Sequence, residues 1–72
     1  MSSQAVVSNP IIGINCDFKA AERSKPGFAY LAAGYYQSVA SAGGIPIVIP
    51  PMDNPEAVAR VLDQVDGFMM IG

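Results

Sequence analysis

Three short apolar runs, separated by two segments with helical periodicity, constrain the fold of this chain most. The runs occupy residues 11–16, 45–49 and 67–71. Each is too short for a typical helix, and bounded apolar runs of this length are typical of strands. The apolar residues of the first run do not alternate with polar ones, which indicates burial on both faces of a sheet. The pattern therefore predicts three strands.

Residues 29–42 are predicted to form the first helix. An apolar stripe at helical spacing runs along this segment and consists of Leu31, Tyr35, Val39 and Ala42. Gly43 and Gly44 follow the stripe. Glycine commonly ends a helix because it adopts the left-handed conformation without strain, so the helix is expected to stop there.

A second helix is predicted after residue 54. Asn54 can cap it with Pro55 at the first helical position, or Asp53 can pair with Glu56 in a capping box. An amphipathic stripe follows, formed by Val58, Val61, Leu62 and Val65.

Strands that alternate with helices predict an α/β fold with a parallel sheet and right-handed crossovers. Pro46 lacks a backbone donor, so the strand 45–49 is expected at or near a sheet edge. The polar segment 17–28 is predicted to be a loop, and its length makes it a candidate for a loop close to a substrate.

The run 67–71 is expected to be a central strand. A central strand is normally paired on both edges and covered on both faces, yet only Gly72 follows this run. Residues 10–72 are therefore expected to be the N-terminal βαβαβ portion of a larger α/β domain, preceded by a flexible tail at residues 1–9.

Composition and charge exclude several classes of function. The net charge is −2, and Glu22 interrupts the one short group of basic residues, which argues against a nucleic-acid partner. No apolar stretch approaches the roughly 18 residues that a membrane helix needs, and the N-terminus lacks the features of a signal peptide. With one cysteine, no histidine and no export signal, a cytoplasmic protein without a metal site or cofactor is expected.

Ligands of parallel sheets bind outside the carboxyl ends of the strands, which directs attention to three positions along the chain. These are Cys16-Asp17, Pro50-Pro51-Met52 and Gly72. Cys16 is interpreted as structural rather than nucleophilic, because a long charged segment follows it and the sequence offers no histidine base. Asp17 would suit a phosphate-accepting receiver domain, but Ile71-Gly72 stands where that family places a second aspartate.

Two further residues have alternative interpretations. Gly72, just beyond a strand, is either an ordinary turn glycine or the place where backbone N–H groups approach a ligand as an oxyanion hole requires. Tyr35 is either a packing residue or a phenol that points into the site.

Neither a dinucleotide-binding glycine motif nor a P-loop occurs in the chain.

Four segments in order resemble the N-terminal half of class I glutamine amidotransferase-like proteins, most closely the peptidase C26 branch of γ-glutamyl hydrolases and γ-glutamyl-γ-aminobutyrate hydrolases. They are Pro10-Ile11-Ile12-Gly13-Ile14, Tyr35, the run from Ala42-Gly43-Gly44 to Pro50, and Asp66-Gly67-Phe68-Met69-Met70-Ile71-Gly72. The resemblance covers residues 10–72. It implies a flavodoxin-like three-layer fold.

The resemblance also implies hydrolysis of a γ-glutamyl amide by a Cys-His-Glu triad. In the family all three triad residues come later in the chain, and Cys16 does not match the nucleophile, so these 72 residues alone are expected to be inactive. The family pattern places Gly72 at the start of the oxyanion turn and Tyr35 near the substrate. In the family a second glycine normally follows at the position after Gly72.

The partners implied are a small γ-glutamyl substrate, the C-terminal part of the domain and a second copy in a homodimer, without nucleic acid or membrane. Two alternatives remain open at this point. One is the N-terminal lobe of a LacI-type or periplasmic sugar-binding protein, which binds its ligand without catalysis. The other is a non-catalytic module completed by a partner chain.

Overall fold

The computed structural model describes residues 9–72, so the flexible tail predicted for residues 1–9 lies outside the described residues except for Asn9. The elements in chain order are β1 Ile11–Asn15, β2 Asp17–Lys19, β3 Phe28–Tyr30, α1 Ala33–Ser41, β4 Ile45–Ile49, α2 Pro55–Gln64 and β5 Gly67–Met69. Strands β1, β4 and β5 form one parallel sheet in the order β4-β1-β5. The predicted α/β class is therefore confirmed.

The strand order is that of a flavodoxin-like sheet. Counted along the chain among the parallel strands, β4-β1-β5 reads 2-1-3, which is the first part of the flavodoxin-like order. Strand β4 lies at one edge of the described sheet, as Pro46 predicted. Within residues 9–72 the central strand is β1, and β5 lies at the other edge of the described sheet. That β5 is central in the complete domain stays a prediction.

Strand β5 is also shorter than predicted and ends at Met69 rather than Ile71. The backbone N–H of Ile71 donates to the side-chain Oδ1 of Asn15 at 2.7 Å instead of to a strand carbonyl. A hydrogen bond to a side chain therefore replaces the backbone hydrogen bonds of the ladder where β5 leaves the sheet.

Close approaches at two glycines show how the layers pack on the two faces of β1. A Cβ built on Gly13 would lie 3.3 Å from Val65 Cγ1, at the end of α2. A Cβ built on Gly44 would lie 3.2 Å from Ile12 Cγ1 and 2.9 Å from Val39 Cγ1, on α1. Because neighbouring side chains point to opposite faces of a strand, Ile12 faces α1 and Gly13 faces α2. The two helices thus cover opposite faces of the sheet.

The segment predicted to be a loop is a β-hairpin, and this corrects both the loop and the start of the first helix. Asp17 pairs with Tyr30 and Lys19 pairs with Phe28 in an antiparallel ladder. Because residues 28–30 are held extended by this ladder, α1 begins at Ala33 rather than at residue 29. The rings of Phe28 and Tyr30, whose centroids lie 5.7 Å apart, add packing to the hairpin.

The end of α1 and the start of α2 are as the sequence predicts. Gly43 adopts φ +98°, and the N–H groups of Gly43 and Gly44 donate to the carbonyls of Ala40 and Val39, which is a Schellman motif. At the start of α2, Asn54 Oδ1 accepts hydrogen bonds from the N–H groups of the second and third helical residues at 2.9 and 3.3 Å. Asn54 is therefore the N-cap, and Pro55 occupies the first helical position.

The tightest packing lies around β1. Ile14 is fully buried, and Val39 and Ile49 are 6% and 8% exposed. Other apolar side chains of β4 and α2 remain largely exposed in the described part of the chain, namely Ile45, Ile47, Val48 and Leu62. The core of these residues is thus concentrated where β1 passes between the two helices.

Candidate functional site

A cavity of about 400 Å³ lies at the carboxyl ends of the three parallel strands, on the side of the sheet that α2 covers. It is lined by Asn15, Cys16, Ile49, Pro50, Pro51, Met52, Val58, Leu62, Phe68 and Met70. The location agrees with the prediction that a ligand would bind at this edge. Two of the three sequence positions singled out there contribute to its wall, through Cys16 and through Pro50, Pro51 and Met52.

The two prolines shape the side of the cavity next to β4. Strand β4 ends at Ile49, and neither Pro50 nor Pro51 has a backbone N–H with which to continue the ladder. The chain therefore turns away from the sheet at this point and reaches α2, whose residues Val58 and Leu62 form the facing wall. The Asn54 cap fixes the first turn of that helix.

Cys16 lies in the cavity wall but is not arranged as a nucleophile. Its thiol donates a hydrogen bond to the carbonyl oxygen of Ile49, with Sγ and O 3.6 Å apart. The side chain is half-buried. This geometry suits a thiol that joins the end of β1 to the end of β4, as a structural cysteine does.

The structure leaves two of the predicted site residues away from the cavity wall. Asp17 is exposed and begins the hairpin, where it pairs with Tyr30. Tyr35 lies in the first turn of α1 with 40% of its surface exposed, and it lines neither this cavity nor a second one under α1. Tyr35 is therefore a partly exposed residue outside the cavity wall.

Gly72 directly follows Ile71, whose backbone N–H donates a hydrogen bond to Asn15. It is exposed, and nothing in residues 9–72 lies within 4 Å of a Cβ built on it. In a flavodoxin-like sheet the switch point of strand order falls between the first and third strands, which here are β1 and β5.

Asn15 is a site residue that the sequence patterns did not single out. It is the last residue of β1, it lines the cavity, and its Oδ1 accepts the N–H of Ile71 across 56 positions of sequence. The one local signal is an amide side chain inside an otherwise apolar strand. Its partner could not be read from the sequence, because the contact depends on the pairing of β1 with β5.

Two properties of the described residues concern the predictions about a metal site and about a membrane. Residues 9–72 contain no group of three or more metal-ligating side chains that could hold a metal ion. None of the helices in that part of the chain is both long and apolar enough to span a bilayer.

The fold and the cavity together define an α/β protein with a cavity at the carboxyl edge of a flavodoxin-like parallel sheet. The family model of Peptidase C26 matches residues 10–72, and the chain belongs to this family of glutamine amidotransferase-like hydrolases. No curated protein and no solved structure matches the chain. The family match confirms the resemblance at this level, and it does not favour the sugar-binding lobe.

Proposed function

We propose that the intact protein hydrolyses a γ-glutamyl amide bond through a cysteine thiolate that lies beyond residue 72. The residues described here supply one wall of the site and, at Gly72, the first part of an oxyanion turn. The observation that supports this most is the membership of residues 10–72 in the Peptidase C26 family. In this proposal, residues 10–72 are the N-terminal βαβαβ portion of the catalytic domain.

Gly72 is proposed to help stabilise the negative charge that forms on the substrate during the reaction. When a thiolate attacks an amide carbonyl, negative charge develops on the carbonyl oxygen, and preorganised backbone N–H groups stabilise it. Such groups must approach the substrate closely, which a residue without a side chain allows. Gly72 comes shortly after the end of β5, beside the switch point of strand order.

Cys16 is not the nucleophile in this proposal. Its thiol is engaged as a donor to the Ile49 carbonyl, whereas a nucleophilic thiolate needs a base or a positive environment to stabilise the anion. Tyr35 is proposed as a substrate contact, with its exposed phenol available to the polar part of a γ-glutamyl compound. The family pattern, which places Tyr35 near the substrate, supports this role, and the residue is 40% exposed in the first turn of α1.

A γ-glutamyl anilide that releases a chromophore tests the reaction in the intact protein. We expect turnover of this substrate and not of the matching α-glutamyl anilide. Iodoacetamide should abolish the activity of the wild type and of Cys16→Ala alike. Activity that survives complete alkylation would reject the thiolate mechanism, and an inactive but folded Cys16→Ala protein would assign the nucleophile to Cys16.

A further inference from the structure

The hydrogen bond between Asn15 and Ile71 replaces a backbone bond at a particular place in the sheet. The parallel ladder between β1 and β5 runs from Ile12 and Gly67 to Ile14 and Met69. Beyond it, the side-chain Oδ1 of Asn15 accepts the N–H of Ile71 at 2.7 Å in a half-buried setting. One side-chain hydrogen bond thus holds the residues after β5 next to the end of β1.

This hydrogen bond lies one residue before Gly72, where backbone N–H groups are proposed to bind the oxyanion. The N–H of Ile71 belongs to the peptide plane between Met70 and Ile71, so the bond to Asn15 fixes that plane. Only the torsions of Ile71 then separate the fixed plane from the N–H of Gly72. Oxyanion donors act through preorganisation, and small displacements of a catalytic group reduce the rate strongly.

We infer that Asn15 is a positioning residue of the proposed hydrolase site, which holds the backbone after β5 so that the N–H groups at Gly72 are directed to the substrate oxygen. The inference rests on the proposed function. Asparagine suits this role in two ways. Its Oδ1 accepts the Ile71 N–H, and the amide is neutral, so that no negative charge opposes the charge that develops on the substrate.

The chain offers a matched control at the opposite end of the same two strands. Asp66 Oδ2 accepts the backbone N–H of Ile11 at 2.8 Å. This bond also ties β1 to β5 through a side-chain oxygen, but it lies at the amino ends of the strands and away from the cavity. Asn15→Ala and Asp66→Ala therefore remove equivalent bonds, one beside the proposed site and one far from it.

The test measures kcat and KM of the intact protein on a γ-glutamyl anilide, together with hydrogen exchange of the Ile71 amide. We expect Asn15→Ala to accelerate exchange at Ile71 and to lower kcat about tenfold or more with KM nearly unchanged, as the loss of an interaction made only in the transition state does. Asp66→Ala should leave kcat within about twofold of the wild type.

Asn15→Asp separates positioning from a merely structural role and serves if the alanine variant does not fold. It keeps the acceptor oxygen, so slow exchange at Ile71 should persist, while its negative charge should still lower kcat. An unchanged kcat in both Asn15 variants, or equal losses in Asn15→Ala and Asp66→Ala, would overturn the inference while wild-type turnover stands. A wild type that hydrolyses no γ-glutamyl amide would instead reject the proposed function and this role together.

Discussion

Asp66 and Ile11 bind each other through two hydrogen bonds at the amino ends of β1 and β5. The N–H of Ile11 donates to Asp66 Oδ2 at 2.8 Å, and the N–H of Asp66 donates to the carbonyl oxygen of Ile11 at 2.7 Å. Both backbone polar groups of Ile11 are thereby paired with one residue. The pair precedes the first rung of the ladder between Ile12 and Gly67, so it fixes the register in which β5 joins the sheet.

Asp66→Ala should lower the free energy of unfolding of the intact protein by about 1 kcal/mol, because it leaves the Ile11 N–H without its side-chain acceptor. Asp66→Asn should lose less, since an amide oxygen can take the same position. Urea denaturation measures the difference. Asp63→Ala is the control, because Asp63 is exposed on α2 and carries the same charge. Equal losses at positions 63 and 66 would contradict a specific role for the hydrogen bond.

A side chain at Gly13 would crowd the side chains around it. A Cβ built there would lie 2.6 Å from Ile49 Cδ1 and 3.3 Å from Val65 Cγ1. Gly13→Ala should therefore destabilise the protein by about 1 to 3 kcal/mol, since overpacking forces neighbouring side chains to move. Thermal unfolding monitored by circular dichroism measures the loss.

Gly34→Ala is the matched control for Gly13→Ala. Gly34 lies in the first turn of α1, and nothing in residues 9–72 comes within 4 Å of a Cβ built on it. Alanine should therefore stabilise the protein by about 0.5 to 1 kcal/mol through its higher helix propensity. A Gly13→Ala protein as stable as the wild type would show that the close packing of Ile49 and Val65 around Gly13 is wrong.

The strands of the parallel sheet and helix α2 could be predicted because their signals are local. Uninterrupted apolar runs mark β1 and β4, and Asn54-Pro55 marks the start of α2. The hairpin of β2 and β3 was missed because each strand is only three residues long and the apolar residues from position 29 onward were assigned to the first helix. A tight turn in which Glu22 and Lys25 exchange backbone hydrogen bonds closes it, and those residues are charged and give no strand signal.

The residues of the candidate site also fall into those that the sequence could predict and those that it could not. The contribution of Cys16 and of the two prolines followed from their place at the ends of apolar strands, which a parallel sheet brings to one edge. Asn15 could not be identified, because its partner Ile71 is distant in sequence and meets it only through the pairing of β1 with β5. Tyr35 remains a prediction as a substrate contact, and the structure places it outside the cavity wall.

Asn54→Ala should reduce the stability of the protein by about 1 kcal/mol, because the N–H groups of Glu56 and Ala57 lose the side-chain oxygen that caps α2. Asn54→Ser should retain most of the stability, since serine is also a favourable N-cap. Urea denaturation of both variants beside the wild type provides the measurement. Similar losses in the two variants would show that the cap does not account for the effect.

Cys16 should react slowly with iodoacetamide in the native protein. Its thiol donates to the Ile49 carbonyl and is half-buried against the cavity wall, and a thiol reacts only as the thiolate and only where the reagent can reach it. We expect labelling at least about tenfold slower than in the same protein unfolded in urea, since reactivity follows exposure and thiolate character. Mass spectrometry of the peptide that contains residue 16 measures the rate at this cysteine alone.

A second variant checks the cause of this protection. Ile49→Ala keeps the backbone carbonyl that accepts the thiol proton but removes a side chain that is 8% exposed and packs next to Gly13. If packing at the end of β4 limits access, labelling of Cys16 should become faster in this variant while its hydrogen-bond acceptor remains. Labelling as fast in the native wild type as in urea would show that the thiol is not held in the wall of the cavity.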